Sequence, residues 1–465
     1  MTVLNPYDDS LVGVVACATP DDIEDAVAAA TRAFNQQTRR MPLHERREVL
    51  RQTAVGIRSR ADELVGTIVA EGGKPIRDAR REVGRASSLF ELASDCLNSS
   101  DLGSVLPMDV VPSGVNRFGY TVRVPAGVVA AIVPSNSPIN LAANKVAPAL
   151  AMGNAVVAKP AEQTPLSIAI LARILAEAGL PSGAFNVVTG TVKDAAEPLV
   201  RDPRVRIVTA TGGVRSGEAI TRSAGVKKLL LELGSSAANI VFGDADITSA
   251  ARSLATSSFL SSGQACISAQ RIIVHESVVD GFCAELVKAA SSMVIGDPSD
   301  PETEIGPMIS KAHMEQLVEW IEEACSLGAQ LLHGGKRVQR TITPTVLADL
   351  PKECSLASEE AFGPIVSISA FRTVDEAIEQ ANSSKYGLQA GVFTRDIGVA
   401  FQCAKEIDVG ALWVNESSRY RQDNYPFGGM KLSGFGREGV RYAMEELSEL
   451  KFIGIRLGAT GGILG

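Results

Sequence analysis

The first hundred residues carry the hydrophobic pattern of packed helices. Across residues 20–96, apolar positions recur three or four apart, as in Ile23, Val27 and Ala30, and Arg and Glu fill many of the intervening positions. This spacing places the apolar side chains on one face of each helix. Polar and apolar residues interleave at residues 115–124, which predicts an extended hairpin arm with edges that need a partner.

Short apolar runs then alternate with helical patterns. Strands are predicted at residues 127–133, 155–158, 185–188, 205–209 and 228–231, and helices at residues 140–152, 165–178 and 213–222. The alternation predicts a parallel sheet covered on both faces. Ligands of such sheets bind beyond the carboxyl ends of the strands, so we expect the loops at residues 134–138, 159–165 and 211–217 to face one crevice.

A second alternation predicts a second α/β domain. Its strands are predicted at residues 271–275, 365–370 and 390–394, and its helices at residues 278–292, 314–327 and 374–381. A chain of 465 residues exceeds the roughly 250–300 at which a single core stops growing, so two or three domains are expected. The Gly-rich tail at residues 458–465 is expected to be loosely ordered.

Composition and charge exclude several classes of protein. Apolar residues make up 45% of the chain, and the net charge of -8 disfavours a nucleic-acid or anionic-membrane partner. The seven cysteines show no Cys-x-x-Cys spacing, so neither a disulfide framework nor a metal site is predicted. Neither a signal pattern nor an apolar run of about 18 residues is found. A cytoplasmic protein is expected.

One cysteine stands in a distinctive setting. Cys266 ends the stretch Gly263-Gln264-Ala265-Cys266 and lies 34 positions after Glu232. A cysteine nucleophile needs a deprotonated sulfur and a nearby base, and this pair supplies candidates for both. A buried, inert thiol is the ordinary role of an isolated cysteine, and we assign it to the other six. The pair predicts covalent catalysis.

Seven motifs extend this prediction to a family. In chain order they are Pro134-Ser135-Asn136-Ser137-Pro138, Lys159-Pro160-Ala161-Glu162-Gln163-Thr164-Pro165, Thr211-Gly212 with Gly217, Glu232-Leu233-Gly234, Gly263-Gln264-Ala265-Cys266, Glu360-Ala361-Phe362-Gly363-Pro364 and Pro426-Phe427-Gly428-Gly429. Their order and spacing over residues 5–455 resemble the NAD(P)-dependent aldehyde dehydrogenase superfamily. The resemblance implies an α/β fold with a Rossmann-type NAD-binding domain (1–103 and 126–233), a second α/β catalytic domain (234–447) and a small β oligomerisation arm (104–125 and 448–465).

The resemblance also implies three catalytic roles. Cys266 corresponds to the nucleophile that attacks an aldehyde and forms a thiohemiacetal and then a thioester. Glu232 corresponds to the general base for the thiol or for the hydrolytic water, and Asn136 to the amide that binds the developing oxyanion. From the residues alone, Glu232 could be a solvated strand-end carboxylate, and Asn136 could be a turn former before Ser137.

Nine positions are implied to bind the cofactor, namely Pro134, Ser135, Lys159, Glu162, Gly212, Gly217, Leu233, Glu360 and Phe362. A carboxylate at Glu162 repels the additional phosphate of NADP, so NAD is favoured over NADP. Gly212 and Gly217 resemble the turn that admits the pyrophosphate to a helix N-terminus. Without the family resemblance, this turn would be interpreted as an ordinary connection between a strand and a helix. Glu360 and Phe362 correspond to contacts with the nicotinamide ribose and ring.

The substrate-binding positions are implied to be Ser137, Arg421 and Phe427. Many members of the family carry aromatic residues where this chain has Ser135 and Ser137, which predicts a wider or more polar tunnel. The run Arg419-Tyr420-Arg421-Gln422-Asp423 is similar to that of lactaldehyde and phosphonate- or sulfonate-aldehyde dehydrogenases. Arg421 could therefore bind an anionic substrate tail bidentately, unless it pairs with Asp423 or is exposed.

These features favour NAD-dependent oxidation of a short polar semialdehyde to a carboxylic acid. Aromatic or heteroaromatic aldehydes remain an alternative, because the two serines leave space. A relative that passes the acyl group to coenzyme A is a second alternative, and a binding or structural protein without activity is a third. The strands at residues 115–124 and 450–456 resemble the oligomerisation strands of the family, so a homodimer or homotetramer is expected.

Overall fold

The computed structural model describes residues 1–98 and 102–458. The chain begins with a hairpin of strands Thr2–Leu4 and Leu11–Val14. The helices Pro20–Gln36, Leu43–Ser59, Ala61–Gly72 and Ile76–Cys96 follow, which confirms the helical prediction for this region. Thr19 caps the first of these helices by accepting from the Asp22 amide while the Asp22 carboxylate accepts from the Thr19 amide.

The first large sheet has six strands in the order Gly434–Phe435, Lys228–Glu232, Val205–Thr211, Val128–Ile132, Ala155–Lys159 and Phe185–Val187. The last five are parallel, and Gly434–Phe435 is antiparallel to its neighbour. The connecting helices are Pro138–Ala151, Leu166–Glu177, Glu197–Arg201 and Val214–Ala224, with a π-helical turn at Val192–Ala196. This strand order reverses between Val128–Ile132 and Val205–Thr211, so a crevice opens at their carboxyl ends.

Both faces of this sheet are buried. Along its central strand, Val129 and Ala131 pack with the helices between residues 43 and 177. Val128 and Ala130 pack into a separate cluster that includes Ile23 from the first helix. Since successive strand residues face opposite ways, a sheet covered on both sides needs the continuous apolar run seen in the sequence. The predicted Rossmann-type domain is confirmed.

The second large sheet has seven strands in the order Gln330–His333, Thr345–Ala348, Ile365–Phe371, Ala269–His275, Ala237–Val241, Gln389–Phe393 and Ala411–Val414. All are parallel except Gln330–His333. The helices of this region are Ile247–Phe259, Val279–Ser291, Lys311–Ser326, Ser355–Ser358, Val374–Asn382 and Ile397–Glu406, whereas Val440–Glu446 packs into the core of the first sheet. The predicted second α/β unit is therefore confirmed.

Small elements complete the fold. Two-residue strands pair as Arg337–Val338 with Thr341–Ile342 and as Tyr386–Gly387 with Met430–Lys431. Short 3-10 helices lie at Thr38–Arg40, Met108–Val110, Pro112–Gly114 and Leu260–Gly263. No helix in the described parts of the chain has both the length and the apolar character needed to cross a bilayer.

A three-stranded antiparallel sheet forms the arm. Arg117–Pro125 lies at its centre, between Gly103–Leu106 and Ser448–Arg456. The extended segment predicted at residues 115–124 is thus confirmed as a strand, although both its edges are already paired within the chain. Phe118, Leu450 and Phe452 are exposed on this sheet. Residues 459–465 of the predicted arm and tail lie outside the described residues.

Candidate active site

The loop that carries Cys266 has an unusual backbone. Leu260–Gly263 precedes it as a 3-10 helix, within which Ser261 and Ser262 adopt left-handed φ values of 52° and 57°. Such values are uncommon for residues other than glycine and cluster at functional sites. Gly263 has φ 66°, and a Cβ there would lie 2.1 Å from the carbonyl oxygen of Gly363. Only glycine fits at this position.

Side chains from other elements hold this loop in place. Ser261 Oγ donates to the Asp78 carboxylate at 2.8 Å, and Ser262 Oγ donates to the carbonyl oxygen of Gly306 at 2.7 Å. The Ile309 amide donates to the side-chain oxygen of Gln264 at 3.0 Å. Because Asp78 belongs to the helix Ile76–Cys96, the first half of the chain helps to fix the cysteine loop of the second half.

The Cys266 thiol lies in an apolar setting. Its side chain is partly buried and packs against Ile267, Leu388 and Phe427. Burial raises the pKa of this thiol to about 12, and the nearby Arg421 guanidinium only partly opposes the shift. The thiol is therefore protonated at neutral pH, and a nucleophilic sulfur at this position needs a base.

Glu232 provides a buried carboxyl of the kind that serves as a general base. It ends the strand Lys228–Glu232 and is 2% exposed. Neither of its side-chain oxygens has a hydrogen-bond partner among the described residues. Burial, reinforced by the charge of Glu438, raises the pKa of this carboxyl well above its ordinary value. A carboxylate with a raised pKa accepts a proton readily near neutral pH.

Asn136 connects the crevice of the first sheet to the cysteine loop. It lies in the loop between the strand Val128–Ile132 and the helix Pro138–Ala151, and its Nδ2 donates to the carbonyl oxygen of Gln264 at 2.9 Å. One N–H bond of the amide is used in this contact, so the second can serve an oxygen beside Cys266.

The neighbouring Ser137 is held by a buried ion pair. Lys74 Nζ donates to Ser137 Oγ at 2.8 Å and to the Glu82 carboxylate. The other Glu82 oxygen accepts from the backbone amides of Ile139 and Asn140, where it satisfies the first turn of the helix Pro138–Ala151. Ser137 is therefore a polar group held in a fixed position.

Several predicted cofactor positions lie along the crevice of the first sheet. Pro134 and Ser135 follow the strand Val128–Ile132, and Gly212 follows Val205–Thr211, at the point where the strand order reverses. The helix Val214–Ala224 has no side-chain cap at its N-terminus, so its free amides suit a pyrophosphate. Within this helix, a Cβ on Gly217 would lie 2.4 Å from a Leu233 methyl, so glycine permits the close packing.

Lys159 and Glu162 lie at the next strand end along this sheet. Lys159 ends Ala155–Lys159 and is buried, and Glu162 lies two residues after Pro160 in the following loop. Burial lowers the pKa of Lys159, and the negative charge of Glu162 partly opposes that shift. The two charges are therefore close enough to act on the same ligand group.

Glu360 and Phe362 approach from the second sheet. Glu360 Oε1 is buried without a hydrogen-bond partner among the described residues, and burial raises the pKa of this carboxyl to about 7. Phe362 has a left-handed φ of 44°. An orphaned buried acceptor together with a strained aromatic residue is typical of a ligand site. With the crevice described above, these residues fit a dinucleotide.

Arg421 and Phe427 close the other side of the thiol. The Arg421 guanidinium carbon lies 3.6 Å from the centre of the Phe427 ring. Arg421 Nη2 donates to Glu438 at 2.8 Å and to Asn144 Oδ1 at 3.2 Å, and its Nε lies 3.9 Å from Asp423. Arg421 is neither exposed nor chiefly paired with Asp423, the two alternatives left open by the sequence.

Comparisons with known proteins agree with this geometry. Residues 1–453 match the model of the Aldehyde dehydrogenase family. The 3-sulfolactaldehyde dehydrogenase of Priestia aryabhattai is 42% identical over 98% of this chain and 95% of its own length. The chain belongs to the aldehyde dehydrogenase family. The resemblance identified in the sequence is confirmed, and the protein is an oxidoreductase that acts on aldehydes with NAD(P).

Two solved aldehyde dehydrogenases have the same fold. The glyceraldehyde-3-phosphate dehydrogenase of Methanocaldococcus jannaschii, complexed with NADP, superposes with a TM-score of 0.94 at 37% identity, covering 98% of this chain and 99% of that one. Aldehyde dehydrogenase 21 of Physcomitrella patens, in complex with the reaction product succinate, gives the same TM-score and identity, covering 98% and 95%.

In this aldehyde dehydrogenase, sequence reasoning missed a buried charge network behind Glu232. Lys145 Nζ donates to Glu438 Oε1 at 2.8 Å and to Thr211 Oγ1 at 2.7 Å. Burial alone would raise the pKa of Glu438, but Lys145 and Arg421 hold it below its ordinary value. One signal was available, because a lysine within the apolar run of the helix Pro138–Ala151 needs a buried acidic partner.

Proposed function

We propose that the enzyme oxidises short polar aldehydes to carboxylic acids with NAD, through a thioester on Cys266 that Glu232 helps to hydrolyse. The observation that carries the proposal is a partly buried thiol, Cys266, close enough to Glu232 for the charge of Glu232 to raise its pKa, together with the two Glu232 oxygens that are buried without partners among the described residues. A carboxyl this costly to bury is expected to serve a reaction.

In the first step a water takes the Cys266 proton and passes it to solvent, so Glu232 stays available as the base for hydrolysis. The sulfur then forms a bond to the aldehyde carbon, and the carbonyl electron pair moves to the oxygen. The free N–H of Asn136 and the backbone N–H of Cys266 then donate to this oxyanion. Loss of one such donor typically costs about 3 kcal/mol of barrier.

The oxyanion then collapses to a thioester as the aldehyde hydrogen leaves as hydride. The nicotinamide ring, when bound, supplies the acceptor for that hydride. Glu232 next removes a proton from water, whose oxygen bonds to the acyl carbon as the carbon–sulfur bond breaks. The leaving sulfur keeps the electron pair of that bond, and the product is the carboxylic acid.

The direct test measures NADH formation from a panel of short anionic, neutral aliphatic and aromatic aldehydes, with and without coenzyme A. We expect rapid oxidation without coenzyme A, because Glu232 activates water, and faster turnover with short polar aldehydes than with aromatic ones. Strict dependence on coenzyme A with formation of an acyl-CoA product would contradict the proposed hydrolysis.

We further propose that NAD is preferred to NADP because of Glu162. The carboxylate lies beside Lys159 at the strand end, where it is expected to accept from the ribose hydroxyls and repel a phosphate. Glu162→Gln should lower the ratio of kcat/KM for NAD to that for NADP about tenfold, or about 1.4 kcal/mol. The exposed Glu379 supplies a control, Glu379→Gln, and an unchanged ratio in Glu162→Gln would remove Glu162 from cofactor selection.

Assembly and location are part of the proposal. The exposed apolar side chains of the arm, Phe118, Leu450 and Phe452, support association of the chain into a homodimer or homotetramer, because such patches are costly to leave in water. No two cysteines form a disulfide within the described residues, which supports a reducing, cytoplasmic location.

A further inference from the structure

Arg419 carries a charge that no acidic group neutralises directly. Its Nη1 donates to the carbonyl oxygen of Ser257 at 3.1 Å and to the Oγ of Ser268 at 3.0 Å, and both acceptors are neutral. Within residues 1–98 and 102–458, no carboxylate lies at ion-pair distance from this guanidinium, and its Nε and Nη2 make no hydrogen bond. Arg419 is only partly buried, and neither of these two nitrogens is among the buried atoms without a partner, so both donor groups are open to solvent or to a ligand.

The surroundings make this arrangement costly. Burial lowers the pKa of Arg419, the negative charge of Asp78 opposes the shift in part, and the neighbouring Arg81 adds to it. Asp78 is occupied elsewhere, because it accepts from Ser261 Oγ and lies 3.4 Å from Arg81. A partly buried guanidinium with open donor groups and no counter-ion is well placed to pair with an anionic ligand.

Arg271 shows how a structural arginine differs. It is also buried without an acidic partner, yet all three of its nitrogens donate to protein groups, including the carbonyl oxygens of Ser236, Gln380 and Ala381. Backbone carbonyls thus accept a hydrogen bond from each of the three nitrogens of Arg271. Arg419, in contrast, donates only from Nη1, so its Nε and Nη2 remain available to a ligand. Such a set matches carboxylate, sulfonate and phosphonate oxygens.

Arg421 is less suited to the same task. Glu438 already neutralises its charge, and the Phe427 ring covers one face of its guanidinium. Arg419 instead contacts Ser268, two residues beyond the nucleophile, and Ser257 on the helix Ile247–Phe259. It lies against the cysteine loop, within reach of a short molecule bound to that loop.

We infer that Arg419 is the residue that recognises the anionic end of the substrate, so that the enzyme acts on short aldehydes with a carboxylate, sulfonate or phosphonate at the far end. This inference rests on the proposed function, since it places the aldehyde carbon at Cys266. Arg421 becomes a positioning residue that holds Phe427 and Glu438.

The test compares two aldehydes of equal chain length, 4-oxobutanoate and butanal, with NAD and no coenzyme A. Arg419→Gln should lower kcat/KM for 4-oxobutanoate about 10²-fold, mainly through KM, because a lost charge-assisted contact of this kind is worth a factor of about 10². Its kcat/KM for butanal should change less than about threefold. The exposed, surface-paired Arg372 supplies the control, Arg372→Gln, which should leave both rates unchanged.

A second measurement uses the wild-type enzyme and needs no turnover. Succinate should slow alkylation of Cys266 by iodoacetamide, as read by mass spectrometry, while neutral butanamide at the same concentration should not. An Arg419→Gln variant that keeps the preference for 4-oxobutanoate, or a wild-type thiol that succinate does not protect, would overturn the inference. If succinate protects Cys266 but neither aldehyde is oxidised, the proposed function fails and the anion site stands.

Discussion

Aldehyde-dependent formation of NADH is expected to fall at least about 10⁴-fold in Cys266→Ala, because no other group can form the covalent intermediate. The variant should fold normally. Cys266 is partly buried, and the small cluster around it retains Ile267, Leu388 and Phe427. Initial rates at saturating NAD and aldehyde check the loss, and the melting temperature checks the fold.

Cys283→Ala is the matched control for this experiment. Cys283 is also partly buried, on the helix Val279–Ser291, but its neighbours belong to the core of the second sheet. Its loss should change turnover less than about twofold. Turnover by Cys266→Ala at more than about a hundredth of the wild-type rate would rule out Cys266 as the nucleophile.

Glu232→Gln is expected to separate the two halves of the reaction. Burial raises the pKa of the Glu232 carboxyl, and a glutamine keeps the shape of this side chain while removing its ability to accept a proton. Hydride transfer precedes hydrolysis, so a first burst of about one NADH per active site should survive. Steady turnover should fall about 10²–10⁴-fold, the usual contribution of a general base. Stopped-flow absorbance of NADH measures both phases.

The exposed Glu379 serves again as the control site, and Glu379→Gln should show wild-type burst and turnover. Equal loss of burst and turnover in Glu232→Gln would mean that Glu232 is needed before hydride transfer, for example to deprotonate the Cys266 thiol. A variant with unchanged turnover would assign the hydrolytic water to another base.

Much of the first sheet could be predicted because local pattern decides it. Strands such as Val128–Ile132 are continuous apolar runs, since both faces are buried. The strand Ala237–Val241 was missed because it contains the buried Asn239, whose amide bonds Ser418 far along the chain. The helix Ile247–Phe259 was missed because serine, threonine and alanine blur its apolar period.

The candidate site likewise contains residues that local motifs predict and contacts that they do not predict. Cys266, Glu232 and Asn136 lie in recognisable motifs, so sequence alone could name them. The pairing of Lys145 with Glu438 joins residues 293 positions apart, and no local pattern encodes that distance. Likewise, the sequence motif pointed to Arg421 as the residue that binds an anionic substrate. Only the structure shows that Arg421 is paired with Glu438 and that Arg419 has donor groups without a protein partner.

The central claim is an acyl group carried on Cys266 and released by Glu232. It is tested most directly by mixing Glu232→Gln with NAD and 4-oxobutanoate, quenching in acid within the burst, and measuring the intact mass and the Cys266 peptide. The account predicts a mass increase equal to the acyl group on Cys266, absent without NAD and absent in Cys266→Ala. A full burst of NADH with an unmodified Cys266 peptide would contradict it.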